Sequence, residues 1–370
     1  MADWRGSRIG RFYCRYVDWG ALDQDGASYQ YMVGGTVELS SLSATKVSGS
    51  IKFDGESPDP SKLLRIYYEF EDAHGDTERR AVCTMLVEVS SDDRTDSSSR
   101  GTAKMESVLK VLQDRQHGSP YVIPAGTNAV AKAVEICGEL GLKTNNPSSD
   151  YVLSQQKVFP TDEANYLAIV NWLLSVAGYG SASPDAFGAV KMDPYVEPAE
   201  MEPSFSFEPG PQSVMLPEIT ATSDWQSSPN AVRLYHEGED GAVSAYALNV
   251  DERSKSSLPN RGWREKTLME TVTELAGDSL EERLVNLVAM CERRLSDNSA
   301  EVEHVEISCP YLPIEQGDAV RVSYADVDWK GSVTNYSIDL GDDAGAALSA
   351  RRFARLELKM ESGGSIVWSA

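Results

Sequence analysis

Up to about residue 104, short apolar runs alternate with clusters of turn-forming residues. The runs are residues 11–17, 29–39, 46–53, 63–70 and 81–89. Asp25-Gly26, Gly34-Gly35, Asp54-Gly55, Pro58-Asp59-Pro60 and Gly75-Asp76 punctuate them. Short strands spaced in this way predict a small barrel or sandwich, because glycine and proline supply the backbone angles at which a chain reverses. Within 63–70, Leu64, Ile66, Tyr68 and Phe70 alternate with Arg65, Tyr67 and Glu69. That period predicts a strand with one buried and one wet face. Residues 90–101 are polar and charged and predict a loop or linker.

The period then changes. Residues 105–112 form a short periodic segment, and 127–140 predict a helix with Val130, Val134 and Cys137 on one face and Gly138 and Gly141 near its end. A strand-like run at 152–159 stops at Pro160. Thr161-Asp162-Glu163 opens a second helix, with Ala164, Leu167, Val170, Leu174 and Ala177 as its apolar face and Gly178 closing it. Pro184-Asp185-Ala186-Phe187-Gly188 marks a turn before a strand. Residues 192–217 are rich in Pro and Glu, contain no Lys or Arg, and predict an extended connection rather than a packed element.

Strand patterns return at 216–276, most clearly at 230–235 and 242–250. Residues 279–295 give the strongest helix. Leu280, Leu284, Leu287, Val288, Cys291 and Leu295 form its stripe, Ser279 with Glu282 its capping box, and Arg293 and Arg294 face the negative end of its dipole. Strands at 302–307, 319–324, 331–340 and 353–360 follow, with turns at Gln316-Gly317-Asp318 and Gly341-Asp342-Asp343. The predicted class is α+β: two small β-barrel-like domains with inserted or appended α/β lobes. The expected divisions are an N-terminal barrel at 1–104, an α/β insertion at 105–215, and the start of a second barrel at 216–276. Residues 277–370 supply a helix and the β region that completes that barrel, with a small α/β lobe.

Composition narrows the functional classes. With 370 residues, 41% hydrophobic and 25% charged, the chain is long enough for two or three cores and too apolar for a disordered one. No apolar run reaches the ~18 residues that span a bilayer, and the first residues lack the apolar stretch of a signal peptide. Synthesis in a cytoplasm is the expectation. The net charge of −23 is opposite in sign to what phosphate binding needs, so no specific nucleic-acid binding is expected. Cys14, Cys83, Cys137, Cys291 and Cys309 lack metal-site spacing and read as buried free thiols.

The candidate chemistry has plainer explanations. His74, His117, His236 and His304 are too scattered for a metal site. Gly178-Tyr179-Gly180-Ser181-Ala182-Ser183 begins like a dinucleotide loop but lacks its third glycine and follows a helix, so it reads as a helix cap. The carboxylate pairs Asp23/Asp25, Asp326/Asp328 and Asp342/Asp343 are expected by chance among 57 acidic residues, although paired carboxylates also serve glycoside hydrolysis. Asp23-Gln24-Asp25-Gly26 resembles part of a calcium loop without its later ligands. Asn335-Tyr336-Ser337 fits a glycosylation sequon but falls in a predicted strand. Seven Trp and 16 Tyr, scattered through strands, suit barrel cores and subunit interfaces. No catalytic, cofactor-binding or metal-binding residue emerges, no cofactor is expected, and the chain reads as a non-enzyme. Residues 231–235 are expected to be an edge strand able to extend a neighbour's sheet.

Two regions resemble the hub family of bacteriophage tails, the late-control-D-like baseplate hub proteins. The first is Val158-Phe159-Pro160-Thr161-Asp162-Glu163-Ala164-Asn165-Tyr166-Leu167, running through Trp172-Leu173-Leu174 and Gly178-Tyr179 to Asp185-Ala186-Phe187-Gly188 and Pro194-Tyr195. The second is Trp225-Gln226-Ser227-Ser228-Pro229-Asn230-Ala231-Val232, with a C-terminal Gln316-Gly317-Asp318-Ala319-Val320-Arg321-Val322 and a strand ending Asp339-Leu340-Gly341. The resemblance spans about residues 105–360 in element order. It implies a structural virion protein at the tail tip, forming a trimeric ring that joins the tail tube or distal tail protein to tip, fibre or spike proteins. Such a ring lines the channel for DNA ejection, and part of the −23 charge is expected to face it. The alternative is a receptor- or cell-wall-glycan-binding tail component. A hydrolase working through paired carboxylates is the third reading.

Overall fold

The computed structural model describes the chain except residues 1–2, 6–7, 95–98, 162–163, 197–199, 211–212, 217–218, 224–227, 239–240, 253, 274, 276, 278, 301–302, 325–326, 342–344, 353–357, 363–364 and 370. For the other residues after Gly341 it describes the backbone course alone. The class is α+β, as the pattern predicts.

The N-terminal region is a set of antiparallel strands: β1 (Arg8–Val17), β2 (Ser28–Tyr29), β3 (Met32–Ser40), β4 (Val47–Asp54), β5 (Leu63–Asp72), β6 (Thr77–Arg94) and β7 (Ser99–Ser107). Their spatial order is β3-β4-β7-β6-β5-β1-β2. Two expectations change here. Residues 90–94 and 99–101 belong to the β6–β7 hairpin rather than to a linker, with pairing continuing to Arg94↔Ser99. They are polar because that part of the hairpin projects from the core. β5 is covered on both faces, since Arg65 and Tyr67 are as buried as Leu64 and Ile66. The alternation there reports two different covers, one apolar and one polar.

The lobe that covers β5 is the insertion. It holds α1 (Lys110–Asp114), β8 (Tyr121–Ile123), α2 (Ala129–Glu139), β9 (Lys157–Phe159), α3 (Tyr166–Val176), β10 (Ser183–Pro184) and β11 (Val190–Lys191). The helices begin at asparagine caps: the Asn128 and Asn165 side chains accept from the Ala131 and Ala168 N–H groups at 2.9 Å each. α3 starts at Tyr166, later than the opening expected at Thr161-Asp162-Glu163, because Asn165 and not the acidic pair caps it. Ala164 therefore precedes the helix, and Asp162 and Glu163 lie outside the described residues. Leu167, Ile169, Val170, Leu173 and Leu174 pack with Ala133, Ile136 and Cys137 of α2, and the same cluster takes in Val17, Leu22 and Leu63 of the N-terminal strands.

The extended connection at 192–217 contains a strand, β12 (Phe205–Phe207), with Phe207 fully buried. The chain continues through β13 (Ile219–Ser223), β14 (Ala231–Gly238), β15 (Gly241–Asn249), β16 (Thr267–Thr271), α4 (Leu280–Ala300), β17 (Glu303–Pro310), β18 (Ala319–Tyr324), β19 (Val327–Asp339), β20 (Gly345–Arg352), β21 (Leu358–Ser362) and β22 (Ser365–Ser369). β19 joins the two ends of the chain. Its first half pairs β18, and its second half pairs β3 with Tyr336↔Leu39 and Ile338↔Val37. The result is one 13-stranded sheet, and its hydrogen-bonding path is open: the described strands close no barrel. Phe53, Ile66, Phe70 and Met105 share one core with Val320, Val333, Tyr336 and Ile338. The Tyr336 hydroxyl accepts from the Leu312 N–H at 2.7 Å inside that core. Asn335 of the sequon is paired on both sides, to Ser40 and Ser349.

A separate five-stranded sheet, β16-β14-β15-β21-β22, packs against α4. β14 is therefore an interior strand with β15 and β16 on its two sides, not the edge expected at 231–235. α4 begins as predicted, with Ser279 Oγ accepting from the Glu282 N–H at 3.2 Å, but continues to Ala300. Arg293 and Arg294 consequently sit in its body, and Leu280 is exposed rather than part of the stripe. Asn230 explains the Pro-Asn dipeptide: buried, it accepts from Lys266 N at 2.7 Å and donates to Arg264 O at 3.0 Å, tying the entry of β14 to that of β16.

Candidate functional site

The groups with latent chemistry are occupied by structural work. Burial pushes the thiols of Cys14, Cys137, Cys291 and Cys309 up to about 12, and that of Cys83 upward too, so they are thiols rather than nucleophilic thiolates at neutral pH. Among the described residues, no three His, Cys, Asp or Glu side chains are grouped to hold a metal ion. His236 Nδ1 lies 2.8 Å from Val272 O, and His117 packs between Tyr121 and Tyr166. Gly178 has φ 76° and ends α3, with Tyr179 N donating to Leu174 O at 2.8 Å, so the glycine-rich run is a helix cap. Asp23 and Asp25 diverge: Asp23 pairs with Lys143 at 3.7 Å, while Asp25 takes arginines. Asp328 pairs with Arg321 at 3.4 Å, and Asp326, Asp342 and Asp343 lie outside the described residues.

Asp25 belongs to a joint between the insertion and the sheet. Arg65, 1% exposed, donates to Asp25 Oδ1 at 2.9 Å, Thr84 Oγ1 at 2.8 Å, Leu22 O at 2.6 Å and Phe187 O at 2.9 Å. Its guanidinium stacks 4.9 Å from the Phe187 ring centre. Thr84 Oγ1 donates in turn to Ala186 O at 2.8 Å. Asp185 shapes the receiving turn by accepting from Phe187 N and Ala189 N. Gly188 completes it at φ 87°, where a Cβ would lie 3.1 Å from Thr84 Cγ2. The Asp185-Ala186-Phe187-Gly188 motif is thus a docking turn. A buried guanidinium is tolerated because each of its three nitrogens meets at least one acceptor, a carboxylate among them.

A second joint holds the N-terminus to the C-terminal half. Arg8 donates to Trp4 O at 2.5 Å and to Tyr311 O, and lies over the Trp4 and Phe70 rings at 5.1 and 5.3 Å. Trp4 meets Phe70 and Tyr311 edge-on. Gly10 is required beside it, since a Cβ there would fall 2.1 Å from the Tyr68 hydroxyl. Arg8 and Arg65 had no signal as partners in the sequence, because arginine in an alternating strand reads as solvent-facing.

What remains open are the ends of the large sheet. From Arg8 to Tyr13, β1 pairs β5 on one side, and no described strand pairs the other; β2 covers only Cys14 and Arg15. Ile9 there is 86% exposed, beside a groove of about 540 Å³ walled by Arg8 to Arg11 and Glu69 to Ala73. At the opposite end, β13 pairs β17, with no described strand beyond. Unpaired strand edges are templates for further strand pairing.

No family model and no curated protein matches the sequence. Solved structures do match the fold. The tail protein from Neisseria meningitidis MC58 superposes with a TM-score of 0.66 at 10% identity, over 93% of this chain and 97% of its own. The 43 kDa tail protein of prophage MuSo2 from Shewanella oneidensis gives 0.65 at 11% identity, over 92% and 98%. Prophage tail protein gp18 from Listeria monocytogenes EGD-e gives 0.52 at 12% identity, over 92% and 94%. The likeness is one of fold, and the fold is the phage-tail, hub-like fold that the motifs imply.

Proposed function

We propose that this chain is a structural hub protein of a phage tail tip, in which three copies form a ring joining the tail tube or distal tail protein to the tip. The observation that carries this reading is the end-to-end match of both chain lengths with proteins described as tail proteins. The open sheet ends support it. β1 and β13 are unlike surfaces at opposite ends of one sheet, and a head-to-tail contact between unlike surfaces closes into a ring when each copy turns by one third of a circle. The role is assembly in the virion rather than catalysis. The chain crosses no membrane in this reading; among the described residues, no helix is long and apolar enough to do so.

The ring would line the channel through which DNA leaves. Part of the −23 charge faces the lumen in this account, and like charge keeps DNA from adhering to the wall at distances within the ~8 Å screening length of physiological salt. Light scattering and sedimentation of the purified protein, alone and with a tail tube protein, test the reading. A three-copy mass or co-assembly with the tube is expected. A single-copy mass under both conditions contradicts it.

A further inference from the structure

The crossover from β15 to β16 presents a tryptophan to solvent on a stiff base. β15 ends and β16 begins at the same end of the sheet, both beside Ala231, so residues 250–266 cross over the entry of β14. Asn260 Nδ2 donates to Glu252 O at 2.7 Å and Ser254 O at 2.9 Å. Asn249 Nδ2 donates to Ser254 Oγ and Ser256 Oγ at 3.0 and 3.2 Å. Arg261, 6% exposed, donates to Ser228 O at 2.7 Å, and Leu258 packs against Ala231, Tyr246 and Leu248. At the tip, Gly262 and Trp263 are both left-handed, with φ 62° and 63°. Trp263 N donates to Leu258 O at 2.8 Å, which fixes the turn. Yet the Trp263 side chain is 73% exposed.

Within the chain, this tryptophan is a cost without a return. A bulky residue with positive φ is strained, and its indole gains little from burial here. The surrounding hydrogen bonds hold it in place, which is the preorganisation expected of an interface anchor. Charge narrows the partner. Among the described residues of 250–266, Lys255, Arg264 and Lys266 are exposed against Glu252 and Glu265, a mildly basic surface in a chain of net charge −23. The complementary surface is on the chain itself. Residues 192–217 contain no Lys or Arg, and Asp193, Pro194, Glu200, Glu202 and Pro203 are all exposed, as is Val196 at 47%. Arg293 of α4 lies 4.7 Å from the Tyr195 ring centre and steadies that segment beside α4.

We propose that the Trp263 loop of one copy docks on the acidic, proline-bearing surface of residues 193–196 and 200–203 of the next copy. The indole lies against Pro194, Val196 and Pro203, and Arg264 and Lys266 face Glu200 and Glu202. The contact rests on the ring reading and adds a second, charge-selective fastening beside the sheet ends. Aromatic surfaces accept proline-bearing extended chain well, because little conformational freedom is lost on binding.

Equal parts of ¹⁵N-labelled and unlabelled full-length protein, mixed and treated with a zero-length carbodiimide, test it. Lys255 or Lys266 should be joined to Glu200 or Glu202 in peptides of mixed isotope. Trp263→Ala should weaken self-association by about tenfold or more, the loss typical of an interface anchor. Trp263→Gly should weaken it equally while melting higher than Trp263→Ala, because glycine alone relieves the left-handed strain; that pairing separates lost contact from lost folding. Self-association unchanged in both variants, or crosslinks of a single isotope only, overturns the docking and leaves the ring standing, whatever other protein or glycan the loop then holds. A wild-type protein that stays single-copy at every concentration overturns both.

Discussion

The insertion lobe and the C-terminal lobe are each helices on a small sheet, and they are attached in opposite ways. The insertion shares a core with the main sheet through Val17, Leu22 and Leu63, and is bolted to it by Arg65. The C-terminal lobe draws its core from its own parts, Val232, Leu234, Ala245 and Ala247 against Leu287, Cys291 and Leu295 of α4. Its strands form a sheet separate from the large one. Rigidity and contact are divided between the two lobes. The insertion braces the sheet from outside, while the C-terminal lobe is an independent platform whose loop reaches outward.

The attachment of the insertion is most sensitive at Arg65. Arg65→Met leaves the buried acceptors at Thr84, Leu22 and Phe187 without their donor, while Asp25 keeps Arg15 and Arg79. It should cost about 4 kcal/mol, at roughly 1–3 kcal/mol for each buried group left unpaired. Denaturant unfolding measures the loss, and limited proteolysis should locate new cleavage in the insertion. Leu287→Ala removes a fully buried leucine from α4 and should cost about 3 kcal/mol. Calorimetry should resolve an early transition belonging to the C-terminal lobe alone. A single transition shifted as a whole would show that the two lobes melt together and would remove the distinction drawn above.

Gly188→Ala acts on the same joint as Arg65 but more gently. The φ of 87° and the 3.1 Å approach to Thr84 Cγ2 should cost about 1–2 kcal/mol. Equal stability to wild type in a thermal melt would mean the turn is looser than described. The smallest effect is in pH. The Asp72 carboxyl is held below its usual range, first by the Asp3 N–H and then by those of Asp76 and His74. A depressed carboxylate contributes stability above its unfolded pKa of about 3.9 and loses it as pH falls through that value toward the folded one. The protection of the Asp3 amide, measured against its intrinsic exchange rate at each pH, should fall over that acid range while the insertion stays protected.

The sequence read well wherever structure is local. β18 falls on the expected residues 319–324, the caps of α2 and α3 lie within the expected segments, and Gly178 closes α3 as its position implies. Periodicity names a strand but not its partner, so nothing in residues 36–40 announced pairing with residues 335–339. Arg65 looked wet because its cover comes from Phe187, 122 residues later. Phe205–Phe207 hid among prolines and glutamates, since a three-residue strand has too little length to show a period. Residues 231–235 read as an edge because the strands flanking it, β15 and β16, include one reached only through a long crossover. Trp263 was one of seven scattered tryptophans until its backbone conformation and exposure set it apart.

Class averages from electron micrographs of the purified protein address the assembly most directly. Closed rings of three subunits around a central opening are the expected particle. Discrete single copies, with no ring at any protein concentration, would contradict a role built on contact between like chains.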